Sequence, residues 1–247
     1  LHTFPPLEGK TTVFEKHRLQ ALFSKYLPVN EHAYHFERKV GSGGEANVYL
    51  LQSSVPEKPS WVLKILRQST KGISPIAQLK EVRAEYEKVR GVYKTLPELI
   101  PKEEYLMVHD PTRRERASSA ILQRFEGGQL NDLFQFMPED IASGDESFKH
   151  EVATFCKITL GHEAQCREVL DLLGNKNVVV VENSESKSKK LRLLDPHNMV
   201  STETNTFFLT GGRLDTIGQR RMERRLNFLK EVLVLLTKKL ESKQFSF

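Results

Sequence analysis

A chain of 247 residues with 38% apolar and 28% charged side chains has the composition of a folded globular protein and is long enough to bury a real core. No run approaches the roughly 18 apolar residues of a membrane span. The net charge of +5 permits an anionic partner without demanding one.

The start, Leu1-His2-Thr3-Phe4-Pro5-Pro6, lacks a basic segment followed by an apolar one, so no signal peptide is expected. It also lacks Met, which points to trimming from a longer chain. Residues 12–27 predict a helix, because Phe14, Leu19, Leu22, Phe23, Tyr26 and Leu27 recur at near-helical spacing before Pro28. Strands are predicted over Phe36–Val40, Asn47–Gln52 and Trp61–Leu66. Pro75 opens a helix through about Lys94, with Leu79, Val82, Tyr86, Val89 and Tyr93 on one stripe. Strands at Tyr105–Val108 and Ala120–Phe125 flank the charged turn Asp110–Arg116. Helical sequence is expected to fill most of 129–173. Asn177–Val181 and Leu191–Leu194 read as a hairpin across the polar run Glu182–Lys190, and residues 219–243 as a final helix. Strands dominate the first half and helices the second, an α+β pattern of two lobes.

The stretch Lys39-Val40-Gly41-Ser42-Gly43-Gly44-Glu45-Ala46-Asn47-Val48-Tyr49 carries the strongest chemical signal. Its glycines let a backbone turn tightly and approach a phosphate without a side-chain clash, with N–H groups aimed at phosphate oxygens. The pattern also satisfies G-x-G-x-x-A, but a dinucleotide site runs from strand into helix. Here Val48-Tyr49-Leu50-Leu51 continues as strand, so the expectation is a strand–turn–strand flap. Twenty-three residues after Gly41, Lys64 sits in the apolar run Trp61-Val62-Leu63-Lys64-Ile65-Leu66, and Glu85 follows twenty-one residues later in the predicted helix. A lysine within an apolar strand is costly unless paired, or unless it snorkels to water from an edge strand.

In the order and spacing of the glycine turn, Lys64 and Glu85, the chain resembles the protein-kinase superfamily. The run Ala120-Ile121-Leu122-Gln123-Arg124-Phe125-Glu126-Gly127-Gly128-Gln129-Leu130 resembles the strand and hinge that join the two kinase lobes. The resemblance covers residues 36–200. It implies a two-lobed protein-kinase-like α+β fold, with a β-rich N-lobe over 1–125, N-terminal helical extension included, and a small helical C-lobe over 126–247. It implies ATP covered by Val40, Gly41, Ser42, Gly43, Gly44 and Val48, with Lys64, held by Glu85, on the phosphates. Leu122 would stand at the gatekeeper position, and the backbone around Gln123–Phe125 would meet the adenine edge.

For the catalytic half the resemblance implies an aspartate, an asparagine five residues on and a metal-binding aspartate after the next hairpin. Two frames are open. In the first, Asn177 and Asp195, in Asp195-Pro196-His197, hold Mg²⁺ or Mn²⁺; the catalytic aspartate would then fall on Leu172, with Asp171 one position off in predicted helix. In the second, Asp195-Pro196-His197-Asn198 is itself the catalytic loop, as in phosphoinositide kinases, and Asp215 holds the metal. Hairpin and hinge spacing favour the first, and Asp195 is functional in both. The implied activity is an ATP- and metal-dependent phosphotransferase acting on an unidentified protein or small molecule. A pseudokinase serving as nucleotide-binding scaffold or switch, and a kinase-fold enzyme catalysing another transfer such as adenylylation, are the alternatives. The short region after Asp195 resembles bacterial effector-type or small-molecule kinases.

Arg220, Arg221, Arg224 and Arg225 cluster at the start of the last helix, above the stripe Met222, Leu226, Leu229, Leu233, Leu236 and Leu240. They read as a solvated basic face or as a site for an anionic ligand. Aromatic residues interleave poorly with the basic ones, which argues against nucleic acid. His162 and His197 have no zinc-ligand spacing. Cys156 and Cys166, ten residues apart, form no disulfide framework, so a reducing, cytoplasmic setting is expected, or a host cytosol for a secreted effector.

Overall fold

The computed structural model describes residues 34–42, 46–53, 60–67, 72–109, 117–125, 129–174, 176–183, 186–202 and 216–244. Its fold is α+β, and the chain divides into two compact units. One comprises Leu1–Arg83 with Lys102–Glu126, the other Ala84–Pro101 with Gly127–Phe247. The expected helix over 12–27, the turn Asp110–Arg116, and Gly43, Gly44 and Asp215 lie outside the described residues. Among those described, no helix is long and apolar enough to cross a membrane.

The first unit is built on an antiparallel sheet whose strands follow from β-branched and aromatic runs. Its strands are β1 (Tyr34–Ser42), β2 (Ala46–Ser53), β3 (Trp61–Leu66), β4 (Glu103–His109) and β5 (Ala117–Arg124), in the order β1-β2-β3-β5-β4. Register breaks between Phe36 and Arg38 and between Lys39 and Gly41 interrupt β1 just before its turn. Alternate residues of β2, β3 and β5 make one buried face, where Tyr49, Leu51, Leu63, Ala120 and Leu122 pack with Trp61, Ile65 and Leu106. Fully burying each such leucine is worth about 1.5–3 kcal/mol. Helix α1 (Pro75–Val92) begins in this unit, where Ser119 Oγ donates to Pro75 O at 2.9 Å, and continues into the second.

In the second unit the expected helix over 129–173 is broken up. Strand β6 (Gln129–Asp132) leads through a 3-10 turn (Leu133–Gln135) to the short α2 (Pro138–Ala142) and then α3 (Glu146–Cys166). Asp145 caps α3, its Oδ1 accepting from Phe148 N at 2.8 Å, a contact worth about 1 kcal/mol. Phe148, Val152, Phe155, Cys156 and Thr159 form the buried stripe of α3. Tyr93 stacks on Phe155 with ring centroids 5.5 Å apart and shares a 2.9 Å hydrogen bond with Thr159 Oγ1. Strand β7 (Glu168–Leu170) pairs with β10 (Met199–Ser201), and β8 (Val178–Glu182) lies between β6 and β9 (Lys189–Leu193). Val178–Val180 are all but fully buried, which is why β8 reads as an unbroken apolar run. Helix α4 (Thr216–Gln244) packs on α2 and α3 through Met222, Leu226, Leu229, Val232 and Leu236.

Candidate functional site

The site residues of the second unit follow from where α3 stops. Arg167 adopts a left-handed conformation (φ 56°), and its N–H donates to Glu163 O at 2.8 Å. That turn ends the helix and releases Glu168-Val169-Leu170 as β7. Asp171 therefore lies in a loop directly after a strand, not in a helix as its sequence neighbourhood predicts. The β7–β10 pairing continues one step, with Asp171 N donating to Asn198 O at 2.8 Å.

Asn177 and Asp195 are tied to the same place. Leu194 N donates to Asn177 O at 2.9 Å, closing the base of the β8–β9 hairpin. Asn177 Nδ2 donates to Asp171 O, also at 2.9 Å. That bond commits the carboxamide nitrogen, so Oδ1 is the atom by which Asn177 can ligate. Asp171 precedes Asn177 by six residues, one more than the resemblance implies, and the turn between them absorbs the excess. Lys176 takes φ 62°, and a Cβ on Gly174 would collide with the Asn177 carboxamide. Leu172, the position where spacing puts a carboxylate, is completely buried. The neighbouring position, Asp171, carries a carboxylate.

Burial raises the Asp171 carboxyl above its ordinary value; N–H groups of Leu173 and Gly174 oppose this, the nearby Asp195 charge adds to it, and Arg225 opposes it weakly. Asp195 keeps 42% of its side chain exposed, while His197, whose Nδ1 lies 2.7 Å from Asp195 Oδ1, is 8% exposed.

A second cluster, unforeseen in the sequence, braces the Asp171–Asn177 turn. Asp132 Oδ1 accepts from Phe134 N and Oδ2 from Lys176 N, both at 3.1 Å. Arg225 of α4 donates from Nη1 to Gly174 O at 2.9 Å and sets Nη2 3.6 Å from Asp132 Oδ2. Its guanidinium lies 4.4 Å from the Phe134 ring centroid. Arg225 thus departs from the expected basic face: it is buried and engaged, whereas Arg220, Arg221 and Arg224 are exposed. The i, i+3 and i+4 positions of the α4 stripe around Met222, Leu226 and Leu229 would have found it, since Arg225 falls on their face.

In the first unit, Gly41 pairs with Val48 and Ser42 with Asn47 at the end of the β1–β2 hairpin. Val40 is 44% exposed. Among the described residues, a Cβ on Gly41 would meet Val48 at an ordinary 3.8 Å. Lys64, 9% exposed, lies between Val48 of β2 and Ile121 of β5. Leu122 and Gln123 are buried at 0% and 4%, and Leu122 belongs to the core cluster. The Phe125 N–H, expected to face an adenine edge, donates instead to Ser60 O at 2.9 Å. Glu85, in the second unit, is half-buried, and Glu81, one helical turn earlier in α1 and in the first unit, is exposed.

Among the described residues no three His, Cys, Asp or Glu side chains cluster to hold a metal by themselves. The Asn177–Asp195 pair is a partial set of hard oxygen donors. It fits Mg²⁺ or Mn²⁺ bound through one or two protein oxygens with phosphate oxygens and water completing the shell. No family model matches the chain, and no curated protein matches it.

Proposed function

We propose that the protein is an ATP- and metal-dependent phosphotransferase with a protein-kinase-like fold. The observation that carries this reading is the arrangement of Asp171, Asn177 and Asp195: an aspartate after a strand, an asparagine bonded to its backbone carbonyl, and a part-exposed aspartate after the hairpin whose base that asparagine closes. The kinase superfamily uses those groups in that order. The sheet order β1-β2-β3-β5-β4, with a helix between β3 and β4, supports the same reading.

Asp171 acts as general base on the acceptor hydroxyl. Burial raises its carboxyl above its ordinary value, which makes it a stronger base. The acceptor oxygen bonds to the γ-phosphorus as the bridge to the β-phosphate breaks; ADP departs and the hydroxyl proton passes to Asp171. Asn177 Oδ1 and the Asp195 carboxylate hold the divalent ion. When bound, that ion neutralises charge on the phosphates and orients them. In the first unit, Lys64 supplies positive charge for the α- and β-phosphates and Gly41 lets the backbone approach a phosphate. The Asp171–Asn177–Asp195 set favours an enzyme over a scaffold, because the carboxylate missing at Leu172 is present at Asp171. ATP use and the free Cys156 and Cys166 fit a cytoplasmic setting.

The test is incubation with ATP labelled at the γ- or α-phosphate, Mg²⁺ or Mn²⁺, and a cell extract. Label transferred from γ and lost in Asp195→Asn is the expected result. Transfer from α alone means nucleotidylation and would overturn the proposal, as would no metal-dependent transfer from either.

A further inference from the structure

The Asp195-Pro196-His197 segment contains a group to which the proposed chemistry assigns no task. His197 is 8% exposed, yet its Nδ1 reaches Asp195 Oδ1 at 2.7 Å. An ionised carboxylate only accepts hydrogen bonds, so Nδ1 carries the hydrogen and donates it. The ring is itself held: it lies 6.2 Å, centroid to centroid, from Tyr86, whose hydroxyl donates to Pro101 O at 3.0 Å. Pro196, buried beside it, restricts the backbone between carboxylate and imidazole.

Resting on the metal role proposed for Asp195, we infer that His197 is a positioning residue that orients the Asp195 carboxylate to receive the divalent ion. A short-tethered carboxylate with 42% of its side chain exposed can rotate about both of its side-chain bonds. A charge-assisted bond from a buried ring restricts that freedom and orients the carboxylate before the ion arrives. The imidazole is not a ligand; it acts through Asp195. Only Pro196 separates donor and acceptor, so the bond is local to this turn.

The bond predicts a separation between metal and nucleotide affinity. Mn²⁺ uptake by the full chain is measured by electron paramagnetic resonance at saturating ATP, and ATP affinity is measured separately without metal. His197→Phe keeps an aromatic ring against Tyr86 and removes the donor; it should weaken Mn²⁺ binding roughly 10–100-fold, the usual cost of losing a group that orients a metal ligand, and leave metal-free ATP affinity within about twofold. His197→Asn places an amide nitrogen where Nδ1 stands and should restore most of the Mn²⁺ affinity. His197→Leu repeats the deletion should the phenylalanine not fit. Unchanged Mn²⁺ affinity in both deletion variants overturns the inference, as does a His197→Asn variant as weak as His197→Phe. An equal loss of metal-free ATP affinity assigns His197 to the fold instead. If the wild-type chain takes up no Mn²⁺ with ATP, the phosphotransferase reading itself fails and takes the inference with it; normal wild-type uptake with unaffected deletion variants sinks the inference alone.

Discussion

Replacing Arg225 with methionine should unfasten the Asp171–Asn177 turn from α4. The side chain is 10% exposed and its partner Asp132 5%. Methionine keeps much of the apolar volume but leaves Gly174 O without its 2.9 Å donor and Asp132 without its cation. Breaking a buried ion pair from one side costs about 3–5 kcal/mol. Two features favour the lower end. Asp132 retains the N–H groups of Phe134 and Lys176, and burial already lowers the Arg225 pKa, so part of the pair's attraction goes to offsetting desolvation. A loss of about 3 kcal/mol corresponds to roughly 6–12 °C in Tm for a chain of this size. Urea and thermal denaturation of the two variants measure it, with exposed Arg224→Met as the control, expected within about 0.5 kcal/mol of wild type. The double variant Asp132→Asn/Arg225→Met should lose less than the sum of the singles by about 1–3 kcal/mol, because the carboxylate is no longer stranded. A loss no larger for Arg225→Met than for Arg224→Met would refute the bracing role and return Arg225 to the solvated basic face.

Gly174→Ala places a methyl against the Asn177 carboxamide, so it should cost about 1–3 kcal/mol and lower metal-dependent activity, read by denaturation and by transfer assays. Asp171 is raised by burial, so folding favours its protonated form. The stability this contributes is complete below the unfolded value of about 3.9 and is lost as pH rises through the folded value. The wild type should therefore lose stability relative to Asp171→Asn across that window in pH-dependent melts, while Asp171→Asn abolishes transfer; a constant difference would show that burial does not perturb the group. Gly41→Ala, whose Cβ would lie an ordinary 3.8 Å from Val48, should fold normally yet weaken ATP binding in calorimetry. Lys64→Met should remove the stabilisation by ATP, read in melts with and without the nucleotide.

The sheet of the first unit was legible because its signals are local. Alternation through Val48–Leu51 and Trp61–Leu66, the glycines at the hairpin and Pro75 before α1 each act within a few residues. The segment 129–173 was misread because Leu130, Leu133, Ile141 and the α3 stripe are compatible with helical spacing throughout. What breaks the helix is tertiary: β6 finds β8, β7 finds β10, and Arg167 turns left-handed between them. Asp171 went unassigned for the same reason, since a strict spacing of five cannot see a six-residue turn relieved at Gly174 and Lys176. The Asp195–His197 bond is a local feature that could have been found, because an aspartate two residues before a histidine across a proline leaves few conformations. Arg225 was grouped with its exposed neighbours by composition, although its helical phase places it on the buried stripe.

The central claim is that this chain binds ATP together with a divalent ion held by Asp195. A thermal melt with ATP, with and without Mg²⁺, tests it most directly. At a free ligand concentration about 100 times Kd, ATP with Mg²⁺ should add roughly 2.7 kcal/mol, or about 5–11 °C, to the wild type. Asp195→Asn should melt like the wild type without ligand and respond to ATP equally with and without the metal. A wild-type melting curve that no nucleotide shifts, with or without Mg²⁺ or Mn²⁺, would contradict the account.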